Sequence, residues 1–252
     1  MDAAAEADAL EAALRSVGTQ ERAEQEKRYL KSELEFAGAT VWQTQATVKE
    51  WSSQHRGLSH ADLVAVVGAL WSRPLFERRM AAVMLLERHA PLLGPADLPL
   101  VERLARESRT WALIDGLAAD VAGAILASDP QAVRPVLDRW AGDPDFWLRR
   151  TSLLAELRPL RAGAALEPFL ARADAMLDER EFFIRKAIGW VLREVGKRRP
   201  AEVTAWLGPR THRASGVTMR EAVRWLPEAE RDRLMAAYRA RRPADQGSTQ
   251  VG

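Results

Sequence analysis

Three aromatic-plus-basic pentapeptides recur on a near-regular grid: Leu75-Phe76-Glu77-Arg78-Arg79, Phe146-Trp147-Leu148-Arg149-Arg150 and Phe182-Phe183-Ile184-Arg185-Lys186. The last two start 36 residues apart, and the first precedes the second by 71, close to twice that spacing. Midway between the first two stands Thr110-Trp111-Ala112-Leu113-Ile114-Asp115, where the basic pair is absent and an acid takes its place. A period in the mid-thirties without strand signals is what stacked helix pairs produce, because one pair cannot bury its apolar face alone. The grid predicts an all-α fold, a right-handed α-solenoid. The repeat that departs from the rule is where chemistry is to be sought.

The rest of the chain agrees with a helical repeat. Amphipathic runs predict helices over about 2–16, 21–35, 42–55, 59–71, 74–90, 97–108, 110–127, 130–141, 145–157, 163–178, 181–198, 200–207, 217–225 and 227–241. Breakers such as Pro91, Gly94-Pro95, Asp129-Pro130, Gly142-Asp143-Pro144 and Gly208-Pro209 fall between them. No shift in composition marks a boundary, so one domain is expected over 1–242, followed by a polar, disordered tail over 243–252. With 47% apolar residues the chain can bury a large core. No run of 18 uncharged apolar residues offers a membrane span, and the acidic, Ala-rich start is unlike a signal sequence. The absence of cysteine excludes disulfides and thiolate metal sites, consistent with a cytoplasmic protein. His55, His60, His89 and His212 share no metal-ligand spacing and read as surface or helix-end residues, so neither metal nor cofactor is expected.

Several polar residues stand where the apolar pattern should exclude them. On the helix from Thr110 to Ala127 the only acids are Asp115 and Asp120. At 100° per residue Asp120 turns away from Trp111, Ala118 and Ala122, whereas Asp115 falls among them. A carboxylate there is costly unless it is paired or functional. It is either an acid at a groove rim, a partner for an arginine of the next repeat, or a working group. Arg150 has the same anomaly with opposite charge, lying within the stripe of Phe146, Trp147, Leu153, Leu154 and Leu157. An Arg150–Asp115 bridge between repeats and a phosphate contact both fit it, and the two are compatible. On the helix from Glu181 to Arg198, Lys186, Trp190, Arg193 and Lys197 line the side opposite the core stripe, with Gly189 beside them. Trp190 is then either packing between layers or an aromatic plate on a cationic, nucleic-acid-binding face. Trp42, Trp51, Trp71, Trp140, Trp206 and Trp225 read as core or rim. The net charge of +2 hides an acidic first fifth and, from Arg185 to Arg224, an excess of Lys and Arg over Glu194, Glu202 and Glu221, which suggests a polyanion partner.

The residues singled out in this way carry a family likeness. Trp111-x-x-x-Asp115, Phe146-Trp147-Leu148-Arg149-Arg150 and Phe182 through Arg193 resemble the signature of DNA alkylation repair glycosylases of the AlkD type. Tyr29-Leu30-Lys31 and Phe36-Ala37-Gly38 resemble that family's opening motif. The likeness runs from about Tyr29 to Pro227. It implies a HEAT-like solenoid with a concave basic groove that holds duplex DNA. It also implies hydrolysis of the N-glycosidic bond of N3- or N7-alkylated purines by a monomer without metal or cofactor, near the bacterial nucleoid. By position Asp115 matches the family's catalytic carboxylate, Trp111 and Trp190 its groove aromatics, Arg150 and Arg193 its phosphate contacts, and Tyr29 a residue near the lesion. Lys186 and Lys197 join the DNA-binding set through the cationic face. After Phe36-Ala37-Gly38 the family continues with a Pro- and Arg-containing helix start, whereas Ala39-Thr40-Val41-Trp42-Gln43 stands here. Other readings are a non-catalytic DNA-binding solenoid, a protein-binding scaffold, and a self-resistance glycosylase acting on bulky natural-product adducts.

Overall fold

A computed structural model describes residues 1–240 of the 252-residue chain. The tail expected over 243–252, like the end of the expected domain at 242, lies outside the described residues. The fold is all-α and helical-repeat, as the grid predicts; the β-type pairing among the described residues is an isolated parallel bridge, Glu35 with Leu75. The chain divides into two compact units, Met1–Arg158 and Pro159–Gly252, with no break in composition at that point.

The first unit contains α1 (Ala3–Val17), α2 (Gln20–Leu30), α3 (Val41–Gln54), α4 (His60–Trp71), α5 (Phe76–Arg88), α6 (Leu98–Glu107), α7 (Trp111–Gly116), α8 (Gly123–Ser128), α9 (Pro130–Ala141) and α10 (Phe146–Leu154). A short α11 (Leu157–Arg161) carries the chain onward. The second unit contains α12 (Glu167–Ala175), α13 (Phe182–Gly196), α14 (Pro200–Leu207), α15 (Gly216–Ala222) and α16 (Glu228–Ala240). Side-chain oxygens start many of them. Thr19, Ser59, Asp129, Asp145 and Ser215 each accept from an amide of the first turn, and Thr40 with Gln43 forms a full capping box. Three of the histidines sit at helix ends: His55 and His89 close α3 and α5, and His60 opens α4.

The sequence period reappears as a set of polar ties between neighbouring repeats. In the first unit His60 meets Asp97 and Arg106 meets Asp143, both 37 residues on, while Arg150 meets Asp115, 35 residues back. In the second, Lys186 meets Glu221 across 35 residues, Arg210 meets Asp174 across 36 and Arg213 meets Asp178 across 35. Beneath them is an apolar interior of residues such as Leu70, Trp71, Leu104, Ile114 and Trp140, all essentially inaccessible. The repeat is therefore bound by burial first and registered by hydrogen bonds of near-constant sequence span.

The structure departs from the expected helices in two places that bear on the site. The helix expected over 21–35 stops at Leu30, because Lys31 turns into the left-handed region with φ 47. The chain is then captured by α5 and its approach: Glu35 N–H donates to Pro74 O and Phe76 N–H to Glu35 O, both at 2.8 Å. The buried Glu77 carboxylate accepts from Ala37 N–H at 2.8 Å and Gly38 N–H at 2.7 Å. Gly38 has φ 82, and a Cβ on it would lie 2.0 Å from Thr19 O, so only glycine passes there. The second departure is a π-helical turn, Leu117–Ala122, set between α7 and α8 in what the sequence reads as one helix. By length and composition Trp111–Ser128 could cross a membrane, although no span is expected from the sequence. It is instead a core element, packed by α5, α6 and α10.

Candidate functional site

The first pentapeptide turns out to be an anchor. Arg78 is buried, donating to Leu70 O at 3.1 Å and Ala69 O at 3.0 Å and reaching Asp8 and Glu11 on α1. With Glu77 holding residues 37–38, this motif ties the N-terminal segments to α5. Although burial acts to raise it, Arg15 and Arg78 hold the Glu11 carboxyl below the usual range.

The repeat that breaks the rule carries the charge pair. Asp115 lies on α7, one turn beyond Trp111, and Arg150 on α10 is 3% exposed while the Asp115 side chain is 20% exposed. Arg150 donates from Nε at 2.8 Å and from Nη2 at 2.7 Å, and both bonds end on Oδ1 of Asp115. One carboxylate oxygen is thus committed to the guanidinium, and Oδ2 receives no donor from Arg150 in this arrangement. Removal from water pushes the Asp115 carboxyl above the ordinary carboxylate value, against the pull of Arg150. The bridge left open by the sequence is present. It also supplies an oriented, half-satisfied carboxylate in a largely dry position.

Tyr29 and Trp111 come together next to it. Their rings meet edge to face with centroids 6.0 Å apart, and Tyr29 is 69% exposed at the end of α2. Four of the sequence-predicted residues, Tyr29, Trp111, Asp115 and Arg150, are therefore held on α2, α7 and α10 of one compact unit. Trp111 and Asp115 stand one turn apart on α7, so the ring pair and the charge pair share that helix.

The remaining predicted residues are on α13 or, for Lys197, at its C-terminal end in the second unit, and the cationic face expected there carries acid partners. Lys186 and Arg193 both donate to Glu221 of α15. Gly189 makes this possible: a Cβ on it would lie 2.6 Å from Glu221 Cβ and 3.0 Å from Thr218 O, so the missing side chain lets α15 lie against α13. Burial acts to raise the Glu221 carboxyl, but Lys186 and Arg193 hold it below the usual range. Lys197 bonds both Glu194 oxygens at 2.9 Å and lies 5.9 Å from the Trp225 ring. Trp190 is half-buried. The physical reason for the difference is that a helical wheel treats α13 alone, whereas its cationic side is matched by an acid 35 residues away. Glu221 was missed although it falls one period after Lys186, where the grid could have found it. Trp42, read as core or rim, is 80% exposed at the capped start of α3.

An all-α repeat protein with a half-buried carboxylate–guanidinium pair between successive repeats, flanked by aromatic rings, is the class these features define. The family described as DNA alkylation repair enzyme matches the chain over residues 10–226, and the chain belongs to that family. Among solved structures, the one described as "Predicted DNA alkylation repair enzyme from Enterococcus faecalis" is similar with a TM-score of 0.76 and 21% identity, covering 84% of this chain and 97% of that one. AlkD2 from Streptococcus mutans is similar with a TM-score of 0.59 and 14% identity over 81% of this chain and 98% of its own. At such identities the likeness is one of fold. No curated protein matches the chain.

Proposed function

We propose that this protein is a DNA glycosylase that hydrolyses the N-glycosidic bond of cationic N3- or N7-alkylated purines in duplex DNA. The observation that carries the reading is Asp115: a largely buried carboxylate with Oδ1 fixed by Arg150, one helical turn from Trp111, whose ring meets Tyr29. Membership of the DNA alkylation repair enzyme family supports it.

The chemistry suits such a constellation. An alkylated purine is already cationic and leaves as a neutral base, taking the glycosidic electron pair and needing little acid catalysis. Departure builds positive charge on the deoxyribose, an oxocarbenium-like state. Asp115, directed by Arg150, stabilises that charge and accepts a proton from the water that attacks the sugar. The indole face of Trp111 and the phenol of Tyr29 add attraction to the same cation. Catalysis from the sugar side needs no extrusion of the base into a closed pocket, the route taken by most glycosylases. Trp190, Arg193, Lys186 and Lys197 are assigned to DNA by the family resemblance and by their chemistry, and phosphates would compete with Glu221 and Glu194 for the cations. The protein would act as an intracellular monomer on chromosomal DNA.

The pairing of Asp115 with Arg150 also favours a second reading, in which the pair is only structural and the protein binds DNA without turnover. Release of free base from duplex containing N7-methylguanine or N3-methyladenine separates the two, with wild type and Asp115→Asn assayed side by side. Release by wild type and none by Asp115→Asn is expected. Equal release by both would remove Asp115 from the chemistry. Binding without release by wild type, on methyl and on bulky adducts alike, would leave the second reading.

A further inference from the structure

Arg79, Asp115, Arg150 and Lys186 occupy equivalent places 35 or 36 residues apart on the grid, and the last three are paired with a charge of the opposite sign. Arg79 is the exception. It is 9% exposed, and its one hydrogen bond runs from Nη1 to the carbonyl of Glu107 at 2.6 Å. Its guanidinium lies 5.0 Å from the Trp71 ring centroid. Buried Nε of Arg79 and buried Nε1 of Trp71 both lack an acceptor among the described residues. A buried guanidinium with an unfilled donor and no carboxylate in direct contact is costly, and such groups ordinarily meet an anion. Burial, Glu107 and Arg109 are the influences on it: burial lowers its proton affinity, and so does the neighbouring Arg109, while Glu107 opposes them.

The surroundings are those of a receptor. Arg79 lines a recess of about 300 Å³ together with Arg106, Arg109, Glu33, Glu107, Leu34 and Pro74. Arg109 is one of two non-glycine residues with positive φ among the described residues, at 53, in a position after α6 where glycine is the usual choice. That conformation costs about 1 kcal/mol and persists only where the surroundings impose it. The exposed Glu33 carboxylate reaches the Arg109 guanidinium at 3.0 Å, so an oxyanion already sits on one rim cation, through a surface contact worth little. The recess shares its two supporting segments with the site above: Glu33 and Leu34 follow Tyr29, and Arg109 precedes Trp111.

We propose that this recess is an anion site that takes one phosphodiester group of a bound DNA strand, with Arg79 at its floor and Arg109 at its rim and Glu33 as the displaceable occupant. The proposal rests on the DNA-binding reading above. Its test uses undamaged duplex and inorganic phosphate, so that it does not depend on base release. The association constant for undamaged duplex is measured against salt for wild type, Arg109→Gln, Arg79→Lys and Glu33→Gln. Loss of one phosphate contact lowers the slope of log K against log salt by about 0.9, which amounts to about eightfold weaker binding at ~0.1 M salt. Arg109→Gln should show that loss; Arg79→Lys, which keeps the charge but not the forked donors, should bind more weakly at a nearly unchanged slope, and Glu33→Gln should bind more tightly. A wild-type slope in Arg109→Gln together with wild-type affinity in Arg79→Lys would overturn the proposal. In parallel, melting is followed in inorganic phosphate against chloride at equal ionic strength. A phosphate-specific rise in wild type that is lost in Arg109→Gln supports the recess even if the DNA reading fails. A rise lost with the DNA slope unchanged overturns the phosphodiester and leaves free phosphate, and an equal rise in all proteins overturns the site.

Discussion

Asp115→Asn tests two roles at once, and the structure says how to separate them. Arg150 is 3% exposed and has both of its donors to Asp115 on a single oxygen, at 2.8 and 2.7 Å. Breaking a buried ion pair costs about 3–5 kcal/mol, chiefly because one charge is left uncompensated. Asparagine keeps an acceptor at the Oδ1 position and Asp115 is one-fifth exposed, so a loss of about 2 kcal/mol is expected. At about 2–4 °C per kcal/mol for a chain of this size, melting should fall by roughly 4–8 °C. Arg150→Gln alone leaves a carboxylate that still reaches water and should cost less. In the double variant Asp115→Asn/Arg150→Gln two neutral amides face each other and the uncompensated charge is gone. Its stability should lie within about 1 kcal/mol of Arg150→Gln, a coupling of ordinary size for residues in contact. Base release should behave otherwise. Asp115→Asn should lose about 10²–10⁴-fold in single-turnover rate, and the double variant should recover none of it. Thermal melting and quantified base release on the four proteins of the cycle give both numbers. Recovery of base release in parallel with recovery of stability would refute the reasoning, since the acid would then matter only through the fold.

Base release should also report the raised proton affinity of Asp115. Burial holds its carboxyl above the ordinary value, and the ionised form is the active one, so activity should be lost as pH falls through a point above the ordinary aspartate value. An acid limb at or below ~3.8, the ordinary aspartate value, would contradict that. Glu221→Gln removes the acid shared by Lys186 and Arg193, and duplex affinity should rise with a steeper salt dependence; unchanged affinity in a titration at several salt concentrations would show that these cations do not serve DNA. Gly189→Ala places a methyl 2.6 Å from Glu221 Cβ and 3.0 Å from Thr218 O, and should cost about 1–3 kcal/mol in chemical denaturation.

The sequence made Asp115 and Arg150 conspicuous for a simple reason: both are charged residues in apolar stripes, and the repeat period places them in register one unit apart. Their bridge was one of the outcomes that reading allowed. Tyr29 was legible only through the family resemblance, because nothing in the Glu-rich run of α2 distinguishes it. The early stop of α2 was not legible. Lys31 is not a residue that announces a left-handed turn, and its cause is Glu77, some forty residues later, taking the amides of Ala37 and Gly38. The acid that meets the cationic face of α13 was not legible from that helix either, since charge on one helix is only half of an electrostatic statement. That acid, Glu221, is set by tertiary packing through Gly189.

The π-helical turn of Leu117–Ala122 sets the rotational phase between the two halves of its helix. A π turn amounts to one residue inserted into an α-helix, and such an insertion rotates everything beyond it by about 100°. Asp115 lies before the turn and faces Arg150, whereas Gly123 lies after it, where a Cβ would sit 2.9 Å from Ala155 O. The two ends of one helix are therefore fitted to the same neighbouring stretch in different rotational settings. A regular α-helix over the same stretch would hold the acid and the glycine on faces incompatible with one partner surface. Deleting a single residue between Leu117 and Ala122 forces a choice: either the acid keeps its arginine or the glycine keeps its close approach, but not both.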